Sequence, residues 1–385
     1  MAIERVAVVR SSFSPFGGVE RVAVGTIEQL LKIGIPVSLL TQPRQAWPLD
    51  HPDLDIVSLG ASRGSRFWQA WRFNRAVCRY IDRQPFDIVF SLDKVARFSH
   101  LHAGGGTHRT FLSIKNRNDA PVGRWFRRLS LFHAYILHLE KIGFINPLLR
   151  SIRCNSTLVE GNIRADYAVP SDRLTVIPSS IDWTGIGEVF AARKTVAAQL
   201  AAAEGLDPSL DYLLFLGSGF HRKGLDIAIT GLRYLDENYH LLVVGKGNPR
   251  RFLAFAEKIG VRRRVHVLGP RERGWRYSAL CRAMVLPSRY DPFGGAAAES
   301  HAMGLPVLIT DQTGYADFVD DGQNGVILPA EADDDAIRNA FLRLQALIVS
   351  PRKTPDAIRA AIDQLDHPTV AERVLNEFLM NRSLS

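Results

Sequence analysis

Short strand patterns alternate with helical patterns along this chain of 385 residues. The first strand pattern is Val6–Val9, and after a Ser-Pro-Phe-Gly-Gly turn a helical pattern runs from Val19 to Ile33, where Gly34 ends it. Further strand patterns of this half lie at 36–40, 55–59 and 86–92, and a helical pattern covers about 67–81. Strands that alternate with helices pair in parallel and carry helices on their faces. The alternation therefore predicts an α/β protein built on a doubly wound parallel sheet.

A second alternating series follows the segment Leu174–Asp182, whose strand pattern stops at Pro178 because proline cannot donate to a strand ladder. Its strand patterns lie at 212–216, 240–244, 265–268, 283–286, 307–310 and 325–328. A chain of this length exceeds one ordinary core and suits two domains of similar size. We expect an N-terminal domain of residues 1–180 and a C-terminal domain of residues 181–366. The last amphipathic pattern, within 367–385, has no strand after it and is expected to return to the N-terminal domain.

Composition narrows the partners and the compartment. A net charge of +9 and a pI near 9.6 indicate an acidic partner, which leaves nucleic acid, an anionic membrane surface and a phosphorylated substrate open. Three cysteines without metal-ligand spacing favour a reducing cytosol over a disulfide framework. The N-terminus lacks a secretory signal pattern, and no uncharged run approaches about 18 residues, so we expect a cytoplasmic protein without a membrane-spanning helix.

The stretch Tyr290–Glu299 carries the strongest chemical signal in the chain. Its glycine pair, Gly294 and Gly295, opens a helix whose free N–H groups and dipole favour an anion. Asp291 lies in the loop before that helix and Glu299 lies on it, and both carboxylates can accept hydrogen bonds from hydroxyl groups. Compensation of the helix dipole is an alternative explanation for Glu299, but it does not explain Asp291. Phosphate and hydroxyl recognition together indicate a nucleotide sugar.

In each series, one glycine-containing turn follows the first strand. Gly17 and Gly18 let a phosphate or a sugar approach the backbone, although a plain tight turn also explains them. In the second turn Gly217 is followed by Arg222 and Lys223, two cations that can neutralise a diphosphate. A solvated basic turn is the alternative, but cations at a helix N-terminus are unfavourable unless an anion offsets them. The second turn therefore predicts a diphosphate site.

Three histidines surround the Gly-Gly-Gly-Thr sequence at 104–107. We expect His100, His102 and His108 to cluster around a glycine-rich loop that follows a strand ending near residue 92. There His102 could hydrogen-bond a sugar or transfer a proton, because imidazole titrates near neutral pH. Ordinary surface histidines explain the pattern equally well.

The segment 108–141 interleaves cations with aromatic and aliphatic residues. From Trp125 onward its apolar residues recur at helical spacing, with arginines at one end. Such a helix either buries its apolar face in a core or lies on an anionic bilayer with its arginines toward phosphate headgroups. The number of arginines beside aromatic residues favours membrane contact. The predicted membrane or acceptor contacts are Arg109, Lys115, Arg124, Trp125, Arg127 and Arg128.

These motifs resemble those of the family 4 retaining glycosyltransferases of the GT-B fold. The similarity is carried by Gly17–Arg21, by Arg222–Gly224, by the spacing of Asp291 and Glu299 and by the Gly-Leu-Pro-Val sequence at 304–307, and it spans nearly the whole chain. It implies two Rossmann-like domains that face a cleft, with the C-terminal helix crossing back to the N-terminal domain. The N-terminal domain would bind the acceptor and the C-terminal domain the nucleotide sugar.

The resemblance also implies roles for individual residues. The predicted donor-binding residues are Gly17, Gly18, Gly217, Gly294, Gly295 and Glu299. Of these, the resemblance places Gly17 and Gly18 near the transferred sugar and the β-phosphate, and it matches Glu299 to the acid that binds the ribose hydroxyls. The predicted catalytic residues are Arg222, Lys223 and Asp291, and also His102, which is included for its place near the glycine-rich loop and not because of the resemblance. Arg222 and Lys223 would hold the diphosphate. Asp291 matches the acid near the donor hexose, but it stands where the family normally has the longer Glu.

Within the family, the stretches 215–226 and 246–252 are similar to those of enzymes that add glucose to the lipopolysaccharide inner core. The implied activity is metal-independent, retaining transfer of a hexose from a UDP-sugar, with no cofactor, at the inner face of the cytoplasmic membrane. The same chemistry on a capsule, exopolysaccharide or lipid-linked glycan acceptor is an alternative. A basic nucleic-acid-binding protein, supported by the pI and the arginine content, is the alternative of another class.

Overall fold

The chain forms two compact units in the computed structural model, which describes residues 3–14, 18–61, 63–118 and 130–380. One unit comprises residues 1–180 together with 367–385, and the other comprises residues 181–366. We call them unit 1 and unit 2. Each is built on its own parallel sheet.

Unit 1 contains a seven-stranded parallel sheet in the order β3-β2-β1-β4-β5-β6-β7. The strands are β1 (Val6–Val9), β2 (Val37–Thr41), β3 (Leu54–Ser58), β4 (Ile88–Ser91), β5 (His100–His102), β6 (Ser151–Cys154) and β7 (Leu174–Val176). Its helices are α1 (Gly18–Lys32), α2 (Arg66–Ile81), α3 (His108–Asn118), α4 (Leu131–Phe144) and α5 (Thr157–Tyr167), with a further helix from the C-terminal end of the chain. The strand order reverses direction between β1 and β4, where a doubly wound sheet opens a ligand crevice at the carboxyl ends of its strands.

Unit 2 contains a six-stranded parallel sheet in the order β10-β9-β8-β11-β12-β13, and its reversal point lies between β8 and β11. The strands are β8 (Asp211–Leu216), β9 (Tyr239–Val244), β10 (Val265–Gly269), β11 (Cys281–Leu286), β12 (Val307–Thr310) and β13 (Gly325–Leu328). The helices of this unit are α6 (Trp183–Ala191), α7 (Arg193–Glu204), α8 (Leu225–Gly231), α9 (Arg250–Lys258), α10 (Gly295–Ala302), α11 (Asp334–Val349) and α12 (Pro355–Ala360). The predicted parallel, doubly wound architecture is confirmed in both units.

The C-terminal helix α13 (His367–Met380) packs against unit 1. Its buried face presents Val370, Val374 and Phe378 to the apolar layer that α1 also covers. The Phe378 ring lies edge-on to Phe90 of β4, with the ring centroids 5.0 Å apart. The helix therefore completes one face of the first sheet, and burial of these side chains gives it a fixed position.

Two buried strands of unit 1 were not predicted from the sequence. His100 and His102 were expected around a loop, but they begin and end β5, and both imidazoles are buried. β6 was also missed, and it contains the buried Arg153. Neither strand is a continuous apolar run, so the burial signal that revealed the other strands was absent. The strand pattern at 174–176, after which the second series was expected to begin, is β7, the last strand of the first sheet.

Candidate functional site

The reversal point of the unit 2 sheet brings two predicted motifs together. The turn from Gly217 to Gly224 follows β8, and the loop with Asp291 follows the neighbouring strand β11. Because the strands are parallel, both loops leave from the same edge of the sheet. Their residues are far apart in sequence but form one site at the place where this class of fold binds ligands.

The turn from Gly217 to Gly224 packs closely against neighbouring backbone. At two positions, Gly224 and Gly245, only glycine fits. The N–H of Gly217 donates to the Val244 carbonyl at 2.9 Å, which fixes the start of the turn. Gly224 has a φ of +74°, and a Cβ there would lie 2.0 Å from the Pro287 carbonyl oxygen. A Cβ on Gly245, whose φ is +146°, would lie 2.1 Å from the Gly217 carbonyl oxygen. The loop thus fits closely between its neighbours, and this determines where Lys223 lies.

Lys223 and Asp291 form an ion pair that is largely removed from solvent. The Lys223 ammonium donates a hydrogen bond to Asp291 Oδ2, and each residue is 8% exposed. Burial lowers the pKa of Lys223, the Asp291 carboxylate opposes that shift, and the adjacent Arg222 adds to it. The backbone N–H of Asp291 donates to the Gln312 carbonyl at 2.9 Å, so the loop that follows β12 also holds the Asp291 backbone in place. Two residues predicted to act on the donor are therefore direct partners of each other.

Arg222 and a second arginine connect the two loops. Arg222 Nη1 donates to the Tyr290 carbonyl at 3.0 Å. Arg289 binds Asp226 through two parallel hydrogen bonds of 2.9 and 2.6 Å, and it also donates to the His221 carbonyl at 2.6 Å. Burial acts to raise the pKa of Asp226, but the hydrogen bonds and charge of Arg289 outweigh it and leave that pKa lowered.

The Asp226–Arg289 pair was not predicted from the sequence. The two residues are 63 positions apart, and neither belongs to a recognisable spacing. Their positions were the one signal that could have revealed them. Asp226 is the second residue of the helix that follows the Lys223 turn, and Arg289 lies two residues before Asp291.

The N-terminus of α10 lies directly after the Asp291 loop. Gly294 is the residue before the helix, has a φ of +91° and provides no side-chain cap. A Cβ at Gly294 would lie 2.6 Å from Thr313 Cγ2, so the close approach of the next loop requires glycine. Gly295 begins the helix, and Glu299 lies half-buried in its second turn. Uncapped N–H groups at this end of the helix are suited to an anion.

Buried His301 on α10 makes stability depend on pH. Its Nδ1 lies 2.9 Å from the Tyr315 hydroxyl and its Nε2 lies 3.0 Å from the Asn324 carbonyl oxygen. Burial lowers the pKa of His301 to about 4, although the hydrogen bond to Asn324 opposes the shift. An unfolded histidine titrates near 6.5, so below that pH the unfolded state binds more protons and the free energy of unfolding falls by up to about 1.4 kcal/mol per pH unit.

We therefore expect His301→Gln to flatten the loss of stability between about pH 6.5 and pH 4.5. Urea unfolding across this range measures it, with the exposed His138→Gln as the matched control. An unchanged slope in His301→Gln would contradict the assignment.

The reversal point of the unit 1 sheet carries a second polar group. Arg10, which follows β1, donates to Asp93 Oδ1 at 2.5 Å and to Glu20 Oε1 at 2.9 Å. Glu20 lies in the first turn of α1 and is buried. Gly18 begins α1, and a Cβ on it would meet no described atom within 4 Å, which leaves space above the backbone there. Gly17 lies outside the described residues.

His102 lies at this same edge, at the end of β5, and not in the glycine loop as the sequence suggested. Its imidazole is 4% exposed, and Nδ1 has no hydrogen-bond partner among the described residues. Burial lowers the pKa of His102, and the charges of Arg153 and Arg10 lower it further, so the ring is neutral at neutral pH. A Cβ on Gly104 would lie 2.3 Å from His102 Nε2, so glycine lets the loop pass close to the ring.

A cavity of about 720 Å³ opens beside these residues, entirely within unit 1. Its polar wall includes Arg10, Asp93, Lys94 and His102, and helices α2, α3 and α4 supply an aromatic and aliphatic wall. A concave site with an apolar wall and a few polar groups is typical of ligand binding.

Only part of the predicted membrane or acceptor segment can be placed. Arg109 lies on α3, with its guanidinium carbon 5.3 Å from the centroid of the Tyr167 ring. Lys115 lies on the same helix, with its ammonium 5.8 Å from the centroid of the Phe111 ring. Arg124, Trp125, Arg127 and Arg128 lie outside the described residues. No helix in the described ranges is long and apolar enough to cross a bilayer.

Two family models match the chain in succession. The model for glycosyltransferase family 4 matches residues 16–183, and the model for glycosyl transferases group 1 matches residues 198–364. Together with the two parallel-sheet units, these matches show that the chain belongs to the family 4 glycosyltransferases of the GT-B fold.

Particular relatives act in lipopolysaccharide synthesis. The lipopolysaccharide glucosyltransferase WaaG of Escherichia coli K12 is 25% identical over 353 residues, which cover 90% of this chain and 90% of WaaG. A crystal structure of WaaG matches with a TM-score of 0.76 at 21% identity and covers 97% of this chain and 99% of that one. A structure of Anabaena HepE in complex with UDP-glucose matches with a TM-score of 0.69 at 14% identity, covering 98% and 99% of the two chains. The chain is thus a glycosyltransferase related to lipopolysaccharide glucosyltransferases.

Proposed function

We propose that this glycosyltransferase transfers a hexose, with glucose as the first candidate, from a UDP-sugar to a lipopolysaccharide inner-core acceptor with retention of configuration. One observation supports the proposed donor binding: Lys223, Asp291 and the N-terminus of α10 lie together at the reversal point of the unit 2 sheet. Similarity to WaaG over nearly the full chain supports the acceptor, and the UDP-glucose complex of HepE supports the donor. The same transfer to a capsule, exopolysaccharide or lipid-linked glycan is the second candidate.

In the proposed donor complex, the diphosphate binds between Arg222, Lys223 and the N–H groups that begin α10. These groups stabilise the negative charge that develops on the leaving diphosphate while the sugar acquires oxocarbenium character. Glu299 would accept hydrogen bonds from the ribose hydroxyls, and Asp291 would contact the hexose. The fixed positive charge of the protein performs the stabilisation, so a divalent metal is not part of the proposal.

The acceptor is proposed to bind in unit 1. Gly18 leaves space for close approach at the start of α1, and the neutral His102 can exchange hydrogen bonds with a hydroxyl at the same sheet edge. The Arg10–Asp93–Glu20 group would hold the loops that follow β1 and β4 in a fixed arrangement. This division assigns nucleotide recognition to unit 2 and acceptor recognition to unit 1.

Donor recognition predicts a specific stabilisation by uridine nucleotides. In a thermal-shift screen of UDP, GDP and ADP, we expect UDP at about 100 times its Kd to add roughly 2.7 kcal/mol to the free energy of unfolding. Glu299→Gln should weaken UDP binding about tenfold, the order of one charged hydrogen bond, whereas the exposed Glu257→Gln on α9 should not. Tight, salt-dependent nucleic-acid binding without any stabilisation by UDP would favour the nucleic-acid-binding alternative.

Peripheral association with the inner face of the cytoplasmic membrane is also part of the proposal. In liposome flotation, we expect the protein to float only with anionic lipid, and Trp125→Ala and Arg127→Ala to reduce the floating fraction severalfold. Arg282→Ala, whose side chain is 61% exposed in unit 2, is the matched control. Equal flotation of all variants would remove membrane contact from the 108–141 segment.

A further inference from the structure

We propose that the unit 1 cavity binds an acceptor that carries an oxyanion, a phosphate or a carboxylate attached to its sugar, and that Lys94 and Arg66 recognise this group. The inference rests on the proposed function, because it names the chemical class of the acceptor. Lys94 follows β4 and Arg66 begins α2, and both line the cavity of about 720 Å³.

Lys94 is a cation with unused donors at the cavity wall. Its ammonium donates to Glu140 Oε2, and Glu140 is its one hydrogen-bonding partner among the described residues. The Glu140 side chain is 1% exposed, whereas that of Lys94 is 30% exposed. An ammonium group has three N–H bonds, so Lys94, which lines the cavity, keeps hydrogen-bonding capacity for a ligand.

The Glu140 carboxylate has hydrogen-bond donors other than Lys94. It also accepts the Tyr167 hydroxyl at 2.6 Å, the backbone N–H of His108 at 2.6 Å and that of Arg109 at 3.3 Å. The last two are N–H groups of the first turn of α3, where the helix dipole favours a carboxylate. Because other donors stabilise Glu140, the charge of Lys94 remains available to a second anion.

Arg66 supplies the second cation. It is exposed, and its guanidinium carbon lies 4.5 Å from the centroid of the Phe132 ring. The described acids of the cavity wall are Asp93 and Glu140, and Asp93 is already bound by Arg10 and by the N–H of Ser11. An exposed guanidinium on a cavity wall whose described carboxylates already have partners is suited to a ligand oxyanion.

Histidines add hydrogen-bonding groups without adding charge. His108 lines the cavity, and its Nε2 lies 3.0 Å from Nδ1 of His133 on α4. Burial lowers the pKa of His108 to about 4, and the nearby charges of Lys94 and Arg66 contribute to this shift. All three residues line the cavity, and His108 adds no charge there. Because Arg10 is held by both Asp93 and Glu20, Lys94 and Arg66 are the described wall cations that attract an anion.

The remainder of the cavity suits a sugar ring. Its wall contains Phe73, Phe98, Phe111, Phe132 and Phe144, whose rings can pack against the C–H faces of a hexose or heptose. In the proposed complex, the sugar ring of the acceptor packs against the aromatic wall. Its anionic substituent binds to Lys94 and Arg66.

Binding of small probes to the whole chain tests the proposal. UDP is present at saturation so that the donor site is filled, and glucose 6-phosphate, glucuronate and glucose are titrated by calorimetry. We expect at least one of the two anionic sugars to bind about tenfold or more tightly than glucose. Preference for glucose 6-phosphate identifies phosphate as the oxyanion, and preference for glucuronate identifies a carboxylate.

Matched variants show whether the named cations are responsible. Arg66→Met and Lys94→Met should each weaken binding of the preferred anion about tenfold, whereas Arg97→Met, an exposed arginine outside the cavity, should not change it. Because Lys94→Met leaves Glu140 without its cation, Arg66→Met keeps the test valid if the first variant folds poorly. Equal binding of all three sugars, no binding of either anion or unchanged affinity in Arg66→Met would overturn the inference. A protein that binds UDP but neither anion loses only this inference, whereas one that fails to bind UDP loses the proposed function.

Discussion

Lys223→Ala is expected to lower kcat/KM by more than about two orders of magnitude, the scale associated with loss of one group that stabilises transition-state charge. The physical reason is the position of Lys223, whose ammonium is fixed in a largely buried site beside Asp291 and the α10 N-terminus. A fixed cation in a site of low solvent access stabilises a leaving diphosphate without reorganisation when charge develops. Steady-state kinetics with a UDP-sugar donor measures the change.

Two further variants separate catalysis from stability. Lys258→Ala, an exposed lysine on α9, should leave kcat/KM unchanged. Lys223→Ala also leaves Asp291 buried without its cation, which is destabilising, so the double variant Lys223→Ala/Asp291→Asn should recover stability in urea unfolding while activity stays low. Return of activity together with stability would show that Lys223 serves only to neutralise Asp291.

Gly224→Ala is expected to lower the free energy of unfolding by about 3 to 4 kcal/mol, a large effect for one methyl group. Two costs combine at this position. The φ of +74° is unfavourable for a residue with a Cβ, and that Cβ would lie 2.0 Å from the Pro287 carbonyl oxygen. The loop would have to move away from β11, and Lys223 would move with it. Urea unfolding measures the stability, and the same variant should also lose activity.

Gly205→Ala is the matched control for this prediction. Gly205 has a φ of +65°, and a Cβ there would meet no described atom within 4 Å. It therefore carries the conformational cost of about 1 kcal/mol without the steric overlap. Equal destabilisation by the two substitutions would mean that the close approach to Pro287 does not constrain the loop.

The sequence predicted the elements whose signal is local. Strands such as β1, β8 and β9 are short apolar runs bounded by glycine or polar turns, and the alternation of strands with helices restricts the topology to a parallel sheet. The strands β5 and β6 were missed because histidine and arginine side chains occupy buried positions in them. Burial of those groups depends on what surrounds them, which a local pattern does not reveal.

In the candidate site, too, local features were predictable from the sequence and contacts between distant residues were not. Motif spacing singled out Lys223, Asp291 and the glycines, since a glycine-containing turn with two cations and a glycine-opened helix each occupy a few consecutive residues. It did not predict that Lys223 and Asp291 bind each other, and it gave no indication of the Asp226–Arg289 pair. These contacts join loops 63 or more positions apart, brought together because β8 and β11 are neighbours in the sheet.

By itself, the sequence determined the α/β class, the repeated parallel sheet, the family and the groups for which nucleotide-sugar binding is proposed, because backbone propensity and short motifs are properties of neighbouring residues. Only the tertiary structure decided which charges are paired, which histidines are neutral and where a cavity lies beside Lys94 and Arg66. Burial and the proximity of distant segments set those properties, and both arise when the strands assemble into a sheet.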